Sequence, residues 1–519
     1  MEPPAKKQRL CRTVSTLAIA NKLHPLNVKP SGNQLLADDV DLQEQRKKLL
    51  GLFSILPNEL ILKIISYMDD IQSLINLSQT SRIFYALLYD EEKWKQIYIN
   101  QSEKFDNLSW LGSWKQTVTR IKELANPKLP NNLLCCDEIY RPYQCSQIDY
   151  ANIFKNVIAE EEISQKNPSP EVLNGRIPRF DEQTFDIEEF ENFVDSPFIL
   201  TNKDPERWPK WTFESLLTRF PNVKFRQESC LWDLSKYSQY LKSNQDECPL
   251  YLFDCNSEAM KTLRKEYNPP SIFNDDIFKL FQNYRPDHAW LIMGSKRSGS
   301  TFHKDPNSTS AWNVSIQGRK LWIMLPPNIT PPGVSTDEEE SEVTSPISIA
   351  EWVISGFYND STKLKDIKIG ITFPGECMFV PSGWWHSVIN IDDSIAITQN
   401  FVPSMKLFQV LNFLKNKPGQ ISGFKLGDVQ NLIKQLGLNI DLNYNVDLNE
   451  DCGELTLNLP IFEILSKLLI DNGQKSLLED ALLKVEKLEA KQYCNDTGKS
   501  KKWENLTENT GFSFGFEID

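Results

Sequence analysis

Two histidines and an aspartate have the residue types and spacing of a metal site. The 519-residue chain contains four histidines. His303 and Asp305 lie two positions apart in "TFHKDPNS", and His386 lies in "PSGWWHSVIN". Because side chains at i and i+2 of an extended segment project to the same face, His303 and Asp305 can reach one ion. With His386 from a distant strand they make two histidines and one carboxylate, a ligand set typical of non-haem Fe(II) centres.

The His-x-Asp pattern is weak by itself, since a histidine in an apolar stretch often has a structural role. Pro306 lacks an N–H donor and is expected to end strand pairing directly after the motif. The metal hypothesis therefore depends on strands that bring residues 303–305 close to residue 386.

Seven short runs rich in β-branched and aromatic residues supply such strands. They are 249–254, 289–294, 311–317, 319–325, 372–380, 385–391 and 394–401. Many short strands separated by Pro, Gly and Asn predict a sandwich or barrel. In 311–316, Asn313 and Ser315 share one face, a polar face that a barrel packed only with apolar side chains would not need. The acidic, Ser/Thr-rich stretch 331–346 is expected to be a loop.

A helical period replaces the strand pattern over residues 52–98. Pro57 suits the first position of a helix. One apolar stripe then follows: Leu60, Ile61, Ile64, Ile65 and Met68. Fewer than 50 residues bury too little area to be stable alone. Part of this apolar surface is therefore expected to contact a partner.

The remaining segments are a disordered polar tail over 1–48, a helical connector over 99–180 and a C-terminal helical region with a tail over 405–519. In the connector, Trp110 and Trp114 are expected to be packing anchors. One face of a C-terminal helix carries Leu477, Leu478, Ala481, Leu482, Val485 and Leu488. Core packing is the usual role of such a face, and homodimerisation is the alternative.

Composition narrows the class of protein. A net charge of −13 disfavours non-specific binding to nucleic acid and favours a basic protein or peptide as partner. The ten cysteines lack paired Cys-x-x-Cys spacing, which favours reduced thiols over a disulfide framework or a zinc site. The chain has no run of about 18 apolar residues and no apolar signal core, so we expect a soluble intracellular protein without a membrane partner.

A basic cluster near the N-terminus bears on localisation. Lys6, Lys7 and Arg9 fit a short nuclear-import pattern, and a solvated tail is the alternative. A second cluster contains Lys499, Lys501 and Lys502. Nuclear residence is the expectation, with a cytoplasmic pool as the alternative.

The stretch 181–404 resembles a JmjC domain, a double-stranded β-helix of the cupin-type jelly-roll fold. Five segments carry the likeness in order: "PLYLFD" at 249–254, "PSIFNDDIF" at 270–278, "MGSKRSGSTFHKDPNSTSAWNVSIQGRKLW" at 293–322, "PGECMFVPSGWWHSVIN" at 374–390 and "AITQNF" at 396–401. They are most similar to the JmjC arginine-demethylase and lysyl-hydroxylase subgroup, once described as phosphatidylserine-receptor-like. The expected fold class is multidomain α+β, with this barrel and flanking helices after an all-α N-terminal region.

The resemblance implies a role for each matched position. His303, Asp305 and His386 would bind Fe(II). Lys320 would pair with the far carboxylate of 2-oxoglutarate, for which a compact ammonium is a suitable partner. The positions that would hydrogen-bond this cosubstrate are Tyr251, Ser300 (more often Thr in the subgroup), Asn313 and Thr398.

Four further residues have expected supporting roles. Gly318 would form the hairpin turn that leads to Lys320, and Asn400 would support the site because it shares a face with Thr398. Trp384 and Trp385 would shape the pocket or belong to the core, with core the expectation for at least one of them.

The implied activity uses Fe(II), 2-oxoglutarate and O₂, with ascorbate as an aid in vitro. The resemblance implies hydroxylation of lysine or arginine side chains of a protein, or demethylation when the hydroxylated carbon is an N-methyl group. A basic substrate such as a histone or another Lys/Arg-rich protein suits the acidic chain. Hydroxylation of a modified RNA base is a subsidiary alternative that the negative charge disfavours.

Residues 50–98 resemble an F-box. The matching order is "LPNEL" at 56–60, a helix, Leu-x-x-Leu at 74–77, Ser-x-x-Ser at 78–81 and then Trp94. A three-helix piece of a larger domain is the alternative, and Asp69-Asp70-Ile71 departs from the Asp-Leu more usual in the family. An F-box implies a Skp-type adaptor bound through residues 55–94, and a cullin ubiquitin ligase beyond it.

Two functions from different classes therefore stand. The first is a protein-modifying oxygenase. The second is a substrate receptor of a ubiquitin ligase that uses the JmjC fold only as a binding module. Every iron and cosubstrate position of the barrel holds a suitable residue, which favours the oxygenase.

Overall fold

The computed structural model describes residues 12–15, 24–26, 28, 40–122, 137–166, 175–440 and 459–490. The chain divides into two compact units. The first comprises Met1–Pro270, His288–Lys304 and Ala311–Gln399, and the second comprises Ser271–Asp287, Asp305–Ser310 and Asn400–Asp519.

Fifteen strands lie within the described ranges. They are β1 Arg179–Asp181, β2 Phe198–Thr201, β3 Lys224–Gln227, β4 Cys230–Asp233, β5 Leu252–Asp254, β6 Ala289–Gly294, β7 Gly299–His303, β8 Ser310–Gln317, β9 Lys320–Leu325, β10 Ser335–Thr336, β11 Val343–Thr344, β12 Lys368–Thr372, β13 Cys377–Val380, β14 Trp385–Asn390 and β15 Ser394–Phe401. The nine-stranded main sheet has the order β1-β2-β13-β8-β15-β6-β5-β3-β4. The four-stranded second sheet has the order β12-β9-β14-β7, and β10 pairs with β11.

From β6 to β9, and again from β12 to β15, successive strands alternate between the two larger sheets, as in a jelly roll. Strands β6, β8, β13 and β15 lie in the main sheet, whereas β7, β9, β12 and β14 lie in the second. This arrangement agrees with the predicted cupin-type fold. Because β7, β9, β12 and β14 form one sheet, residues far apart in sequence become neighbours.

Two strand predictions were wrong in detail. Gly318 does turn the chain, with a φ of +78°, but the turn connects two sheets and is not a hairpin, because β8 and β9 lie in different sheets. The run predicted as one strand over 372–380 is two strands, β12 and β13, also in different sheets. The break contains Gly375, which has a φ of +90°.

Strand β9 is buried on both faces, and its alternation defines the inside of the barrel. Leu321, Ile323 and Leu325 belong to a large apolar cluster that also contains buried residues of helices Lys155–Lys166 and Ile349–Ile354. Trp322 and Met324 belong to a second cluster, which contains residues of both sheets. Lys320 has the parity of this second set and therefore points between the sheets.

The described α-helices of the first unit occur along its whole length, from the N-terminal tail to the barrel. They are Val40–Leu50, Asn58–Ser66, Ile71–Ser78, Arg82–Leu87, Glu91–Asn100, Ser102–Phe105, Trp114–Thr119, Asp137–Ser146, Tyr150–Ile153, Lys155–Lys166, Ile187–Phe193, Phe213–Arg219, Leu234–Ser243, Glu258–Leu263, Ile349–Ile354 and Phe357–Ser361. Short 3₁₀ segments occur in both units. Gly51–Ile55 lies in the first unit, and the second unit contains Ser271–Asn274, Ile277–Tyr284, Pro306–Ser308, Ser404–Lys406 and Pro418–Gln420. Pro57 is the N-cap residue, so the first F-box helix starts one position later than predicted.

The prediction of a disordered tail was wrong for its described residues. Residues 40–48 belong to a helix. The Arg12 side chain is buried, donates to Glu160 and Glu161 at 3.2 and 3.1 Å, and donates to the carbonyl of Ile369 at 3.0 Å. The sequence pattern did not predict this contact, because a single arginine that pairs with distant carboxylates produces no periodicity in the sequence. The basic cluster at residues 6–9 lies outside the described residues.

An aromatic cluster connects the F-box region to strands of the main sheet. Trp114 and Tyr98 contact Trp232 of β4, with ring centroids 5.7 and 5.6 Å apart. The Trp110 indole donates to Ser243 Oγ at 2.8 Å. These contacts confirm the prediction that Trp110 and Trp114 are packing anchors.

The second unit is helical and has its own core. Its described α-helices are Leu407–Asn416, Leu426–Gln435, Ile461–Asp471 and 475–490. Leu478, Ala481 and Val485 are buried in this core, whereas Leu488 is exposed. Core packing therefore accounts for much of the predicted apolar face, and homodimerisation stays a prediction.

Neither disulfides nor single spanning helices occur in the ranges given above. The five described cysteines are Cys145, Cys230, Cys248, Cys255 and Cys377, and none forms a disulfide. No single helix is long and apolar enough to cross a membrane. The bent pair Asp41–Ile55 and Asn58–Ser66, at 61°, passes that test only by length and composition.

Candidate metal centre

Strand pairing brings the two histidines together. His303 ends β7 and His386 is the second residue of β14, and the two are direct cross-strand partners. Their ring centroids lie 4.2 Å apart. The register of this strand pair shifts between His386 and Val388. Such irregularities are common beside active sites, where they change the direction of a side chain.

Asp305 completes the cluster from just outside the strand. It is extended, with φ −63° and ψ 145°, and it precedes the 3₁₀ turn that contains Pro306. One possible ligand atom each from His303, Asp305 and His386 lies within 4.8 Å of the other two. The structure therefore brings the predicted ligand set together, although Asp305 is not a strand residue.

Hydrogen bonds orient both imidazoles for metal binding. His303 Nδ1 lies 2.8 Å from the carbonyl oxygen of Thr301, and His386 Nδ1 lies 3.1 Å from that of Trp384. A carbonyl can only accept, so each Nδ1 carries the proton and each Nε2 keeps its lone pair. Burial, together with the neighbouring His303, lowers the pKa of His386 well below its ordinary value. The neutral ring that metal binding requires is thereby favoured.

Lys320 lies in a buried polar pocket between the sheets. It is 1% exposed. Its Nζ donates to Tyr251 Oη at 2.7 Å, to Asn390 Oδ1 at 2.8 Å and to Ser394 Oγ at 3.4 Å. The structure thus brings together two predicted cosubstrate residues, Lys320 and Tyr251.

The Lys320 ammonium has no anionic partner in the described part of the chain, because all three of its acceptors are neutral oxygens. Burial lowers the pKa of Lys320 to about 7. A buried cation without a counter-ion is costly. A carboxylate that entered this pocket would remove that cost, so the pocket suits the far carboxylate of a dicarboxylic acid.

Asn390 and Ser394 were missed as members of this pocket. Asn390 is fully buried, and its amide donates to Ser298 Oγ at 2.8 Å while its oxygen accepts from Lys320. The signal was present, because Asn390 lies four residues after His386 and residues at even spacing share a strand face. A polar residue at such a position in a buried strand predicts a functional contact.

Gly294 makes room for Tyr251. A Cβ at residue 294 would lie 2.5 Å from the Tyr251 ring and 2.3 Å from Ser298 Oγ. Real Cβ atoms do not approach so closely, so any other residue would displace the tyrosine or the serine. The glycine therefore fixes the position of the Tyr251 hydroxyl against Lys320.

The other predicted site residues have different partners. Ser300 lines the same cavity as His303, and its carbonyl accepts from Ser387 Oγ at 2.9 Å. Asn313 is buried, and its Oδ1 has no hydrogen-bond partner among the residues that the structure describes. Thr398 Oγ1 donates to the carbonyl of Trp312 at 3.0 Å, and Asn400 Nδ2 donates to Thr309 Oγ1 at 2.8 Å. Cosubstrate binding by Ser300, Asn313 and Thr398 stays a prediction.

The two tryptophans before His386 are both core residues. Trp384 is 7% and Trp385 1% exposed. The Trp384 indole donates to the carbonyl of Asp195 at 3.1 Å. The expectation that at least one of them belongs to the core is confirmed.

A cavity of about 450 Å³ gives access to the centre. Tyr251, Ser298, Ser300 and His303 line one part of it, and Glu228 and Glu247 line another. Its volume lies in the range usual for ligand sites. Of the predicted site residues, His303, Tyr251 and Ser300 line this cavity, whereas Asp305, His386 and Lys320 do not.

Comparison with known proteins agrees with the fold and the ligand set. Residues 186–406 match the family described as Cupin-like domain, and residues 53–100 match the family described as F-box-like. The chain is 34% identical over 417 residues to the arginine-specific demethylase JMJ22 of Arabidopsis thaliana, covering 77% of each chain. The chain belongs to the JmjC oxygenase family.

Two further relatives name the chemistry. The bifunctional arginine demethylase and lysyl-hydroxylase psr-1 of Caenorhabditis briggsae is 32% identical over 317 residues, which cover 57% of this chain and 72% of the relative. The 2-oxoglutarate and iron-dependent oxygenase JMJD4 of Mus musculus is 28% identical over 211 residues, which cover 38% and 46%. JmjC homologues of this chain are thus oxygenases that use iron and 2-oxoglutarate, and an F-box-like region precedes the barrel.

The residues of the site fit both cofactors of the family. The two Nε2 atoms and the Asp305 carboxylate suit Fe(II), which accepts imidazole and carboxylate ligands. Lys320 and Tyr251 suit a carboxylate of 2-oxoglutarate because they offer a buried cation and a hydroxyl. When bound, iron and 2-oxoglutarate supply the O₂-dependent oxidation of a C–H bond.

Proposed function

We propose that this chain hydroxylates lysine or arginine side chains of a basic protein, or demethylates them through hydroxylation. The observation that carries the proposal is the cluster of His303, Asp305 and His386 together with the buried Lys320, which has no counter-ion among the described residues. In this proposal His303, Asp305 and His386 bind Fe(II), and Lys320 with Tyr251 binds the cosubstrate carboxylate.

The protein's own residues orient the metal ligands and the cation that would bind the cosubstrate. The carbonyls of Thr301 and Trp384 hold the imidazoles in one tautomer, so no proton has to leave when metal binds. Asn390 holds the Lys320 ammonium in place, which reduces the reorganisation needed on cosubstrate binding. The charged groups that line the cavity beside His303 are Glu228, Glu247 and Arg297. Glu247 is paired with Arg141, so Glu228 is the carboxylate that an entering cationic side chain would meet.

The direct test is conversion of 2-oxoglutarate to succinate by the full chain with Fe(II) and ascorbate. We expect turnover in wild type and none in His303→Ala. His288→Ala is the matched control, because it also removes a histidine but lies outside the ligand cluster, and it should retain activity. Mass spectrometry of basic-protein peptides then separates hydroxylation, a gain of 16 Da, from demethylation, a loss of 14 Da. Equal turnover in His303→Ala would contradict the proposal.

A second proposed function is adaptor binding by the F-box-like region. Its apolar stripe splits into buried and exposed sides: Ile61 and Ile65 are 1% and 3% exposed, whereas Leu60 and Ile64 are 50% and 43% exposed. Leu52, Ile55 and Tyr67 are exposed as well, at 91%, 78% and 74%. A contiguous exposed apolar patch is typical of a protein-binding surface. We infer that a Skp-type adaptor of a cullin ubiquitin ligase covers it.

Capture of a Skp-type adaptor by the purified full chain tests this inference. Leu60→Ala/Ile64→Ala should lose capture. Ile163→Ala/Ile187→Ala removes somewhat more exposed apolar surface elsewhere in the chain, at side chains that are 63% and 52% exposed, and should retain it. Undiminished capture by the first variant would contradict adaptor binding at this surface.

Nuclear residence is part of the proposal because of the basic cluster at Lys6, Lys7 and Arg9. A fluorescent fusion of the full chain should be nuclear and should lose that preference when all three residues are changed to Ala. A receptor that uses the barrel only for binding is less well supported, because such a barrel would not need Lys320 buried without a counter-ion.

A further inference from the structure

The cavity beside His303 meets a second cavity that includes part of the F-box-like region. This second cavity has a volume of about 440 Å³, and its lining includes residues 89–92, 95 and 96. Glu247, Cys248 and Ile347 line both cavities. The two cavities therefore share a wall that these three residues form.

The second cavity has an excess of negative charge. Its carboxylates are Asp90, Glu91, Glu92, Glu138, Asp246 and Glu247, and its cations are Lys95 and Arg141. Both cations are already paired, Arg141 with Glu247 and Lys95 with Asp246, the latter at 3.4 Å. Within the described residues, neither Asp90 nor Glu92 forms an ion pair. The cavity thus has negative charge to offer a ligand.

The environment of these carboxylates favours a cation. Burial and the nearby charge of Glu92 raise the pKa of Asp90 to about 7, and burial raises the pKa of Glu91 to about 7. A carboxylate with a raised pKa is a poorly solvated anion, and an entering cation would stabilise its charged form. Glu91 already accepts from the backbone N–H groups of Trp114 and Lys115, so Asp90 and Glu92 are the carboxylates suited to bind a positive group.

Aromatic rings add a second type of cation contact. Tyr89 and Tyr143 line the same cavity on either side of the buried His24. The His24 ring lies 6.0 Å from that of Tyr89 and 4.8 Å from that of Tyr143, edge to face in both cases. Ring faces attract ammonium and guanidinium groups. Carboxylates beside tyrosines suit a lysine or arginine side chain better than a neutral one.

We propose that the substrate polypeptide lies along both cavities, with the side chain to be oxidised beside His303 and a second lysine or arginine in the cavity formed with the F-box-like region. This inference rests on the proposed function, because it names the substrate class of the same site. It assigns the F-box-like region a part in substrate recognition through residues 89–96, on helix Glu91–Asn100 and just before it. The apolar adaptor surface lies on a different segment, residues 52–67.

The test uses the full chain and fluorescein-labelled peptides of Gly, Ser and Ala with a central lysine. A second lysine is placed at each successive position, and binding is measured by anisotropy at low salt. In wild type, one spacing of the second lysine should tighten binding about tenfold, since a charge pair in a partly buried site is worth about 1.4 kcal/mol. Asp90→Asn/Glu92→Gln should lose this gain.

The variant and its control are matched in charge. Asparagine caps a helix as well as aspartate does, and Asp90 makes no side-chain cap bond, so folding should be retained. Glu103→Gln/Glu188→Gln removes two exposed carboxylates outside both cavities and should keep the gain. No favoured spacing in wild type, or an equal gain in Asp90→Asn/Glu92→Gln, overturns the inference.

The failure of the inference is distinguishable from failure of the proposed function. Peptide-independent conversion of 2-oxoglutarate to succinate should be the same in Asp90→Asn/Glu92→Gln as in wild type, because neither residue lines the cavity beside His303. Turnover with no favoured lysine spacing would overturn the second subsite alone. Absence of turnover in wild type would instead contradict the oxygenase.

Discussion

The barrel buries polar side chains, whereas the F-box-like region exposes apolar side chains. In the barrel, His386, Lys320 and Asn390 are polar and 4%, 1% and 0% exposed. In the F-box-like region, Leu52 and Ile55 are apolar and 91% and 78% exposed. A buried charge without a counter-ion and an exposed apolar patch both cost free energy in the isolated chain. In each region, binding of a ligand would therefore remove a free-energy cost of the isolated chain, and that cost indicates a binding site.

The comparison also indicates the size of each ligand. The buried polar pocket is small, is enclosed by strands and suits a small dicarboxylic acid. The exposed apolar patch lies on 3₁₀ segment Gly51–Ile55 and helix Asn58–Ser66, and only another macromolecule can cover such a surface. Substitutions in the barrel pocket should therefore change the affinity for 2-oxoglutarate, whereas substitutions in the apolar patch should change capture of the adaptor.

The largest expected effect separates the two sides of one helix. Ile61→Ala/Ile65→Ala should destabilise the F-box-like region by about 2–4 kcal/mol for each residue, because buried methyl groups are lost and cavities remain. Leu60→Ala/Ile64→Ala should change stability by less than about 0.5 kcal/mol for each residue, since these positions are exposed. Urea unfolding of the full chain measures both. Equal losses of stability in the two variants would contradict the assignment of Ile61 and Ile65 to the core and of Leu60 and Ile64 to a partner-binding surface.

In the barrel, Lys320→Met should weaken 2-oxoglutarate binding by roughly 10- to 100-fold, because a charge-assisted hydrogen bond is worth about 1.5–3 kcal/mol. Calorimetric titration of the full chain under anaerobic conditions measures the dissociation constant. Lys296→Met is the control, because Lys296 is exposed and lies outside the pocket. An unchanged dissociation constant in Lys320→Met would show that the cosubstrate binds elsewhere.

A smaller loss should follow from Gly294→Ala. The new methyl group would collide with the Tyr251 ring and Ser298 Oγ, so the tyrosine should shift and cosubstrate binding should weaken about tenfold, the value of one hydrogen bond to a charged group. Gly427→Ala is a matched control, because a Cβ there meets nothing within 4 Å. If both variants bind 2-oxoglutarate equally well, Tyr251 is not a binding residue.

The smallest effect is a pH dependence of cosubstrate affinity. Burial lowers the pKa of Lys320 to about 7, so the empty pocket loses its positive charge as the pH rises above that value. Binding of the carboxylate must then take up a proton, and the dissociation constant should rise by up to about tenfold per pH unit above 7. Lys320→Arg, which keeps its charge, should flatten this dependence. A dissociation constant that does not change with pH in wild type would contradict the lowered pKa of Lys320.

Much of the barrel could be predicted because the motif and the alternation agree. His386 lies in the predicted strand run 385–391. His303 lies in a segment that was expected to be extended but was not among the seven predicted runs, and the pairing of β7 with β14 makes the two histidines neighbours. Strand ends were less predictable. The assignment of β8 and β9 to different sheets depends on long-range pairing, and the local sequence around Gly318 favours a turn without specifying which strands follow it.

The pocket was less predictable than the metal cluster. Lys320 and Tyr251 followed from the resemblance. Asn390, Ser394 and Gly294 were missed as pocket residues, although Asn390 and Gly294 lie inside segments that carry the resemblance, because none of the three is a residue type that by itself indicates chemistry. Their roles depend on side-chain contacts across three strands. Arg12 shows the same limit, since its buried ion pairs with Glu160 and Glu161 join residues separated by more than a hundred positions in sequence.

The second cavity could not have been predicted from the sequence at all. Its wall combines Asp90 and Glu92 with Glu247 and Ile347, from segments that composition assigns to separate domains. Tertiary packing through Tyr98, Trp114 and Trp232 brings these segments together. Domain boundaries drawn from sequence hide such a site, because each segment by itself has only an ordinary cluster of charges.

The most direct test of the central claim is an anaerobic titration of Fe(II) into the full chain, followed by calorimetry, in wild type, His386→Ala and His288→Ala. The account predicts one Fe(II) per chain in wild type and His288→Ala, tighter binding of 2-oxoglutarate once iron is present, and loss of both in His386→Ala. Equal Fe(II) affinity in all three proteins would contradict the assignment of this cluster as the metal centre.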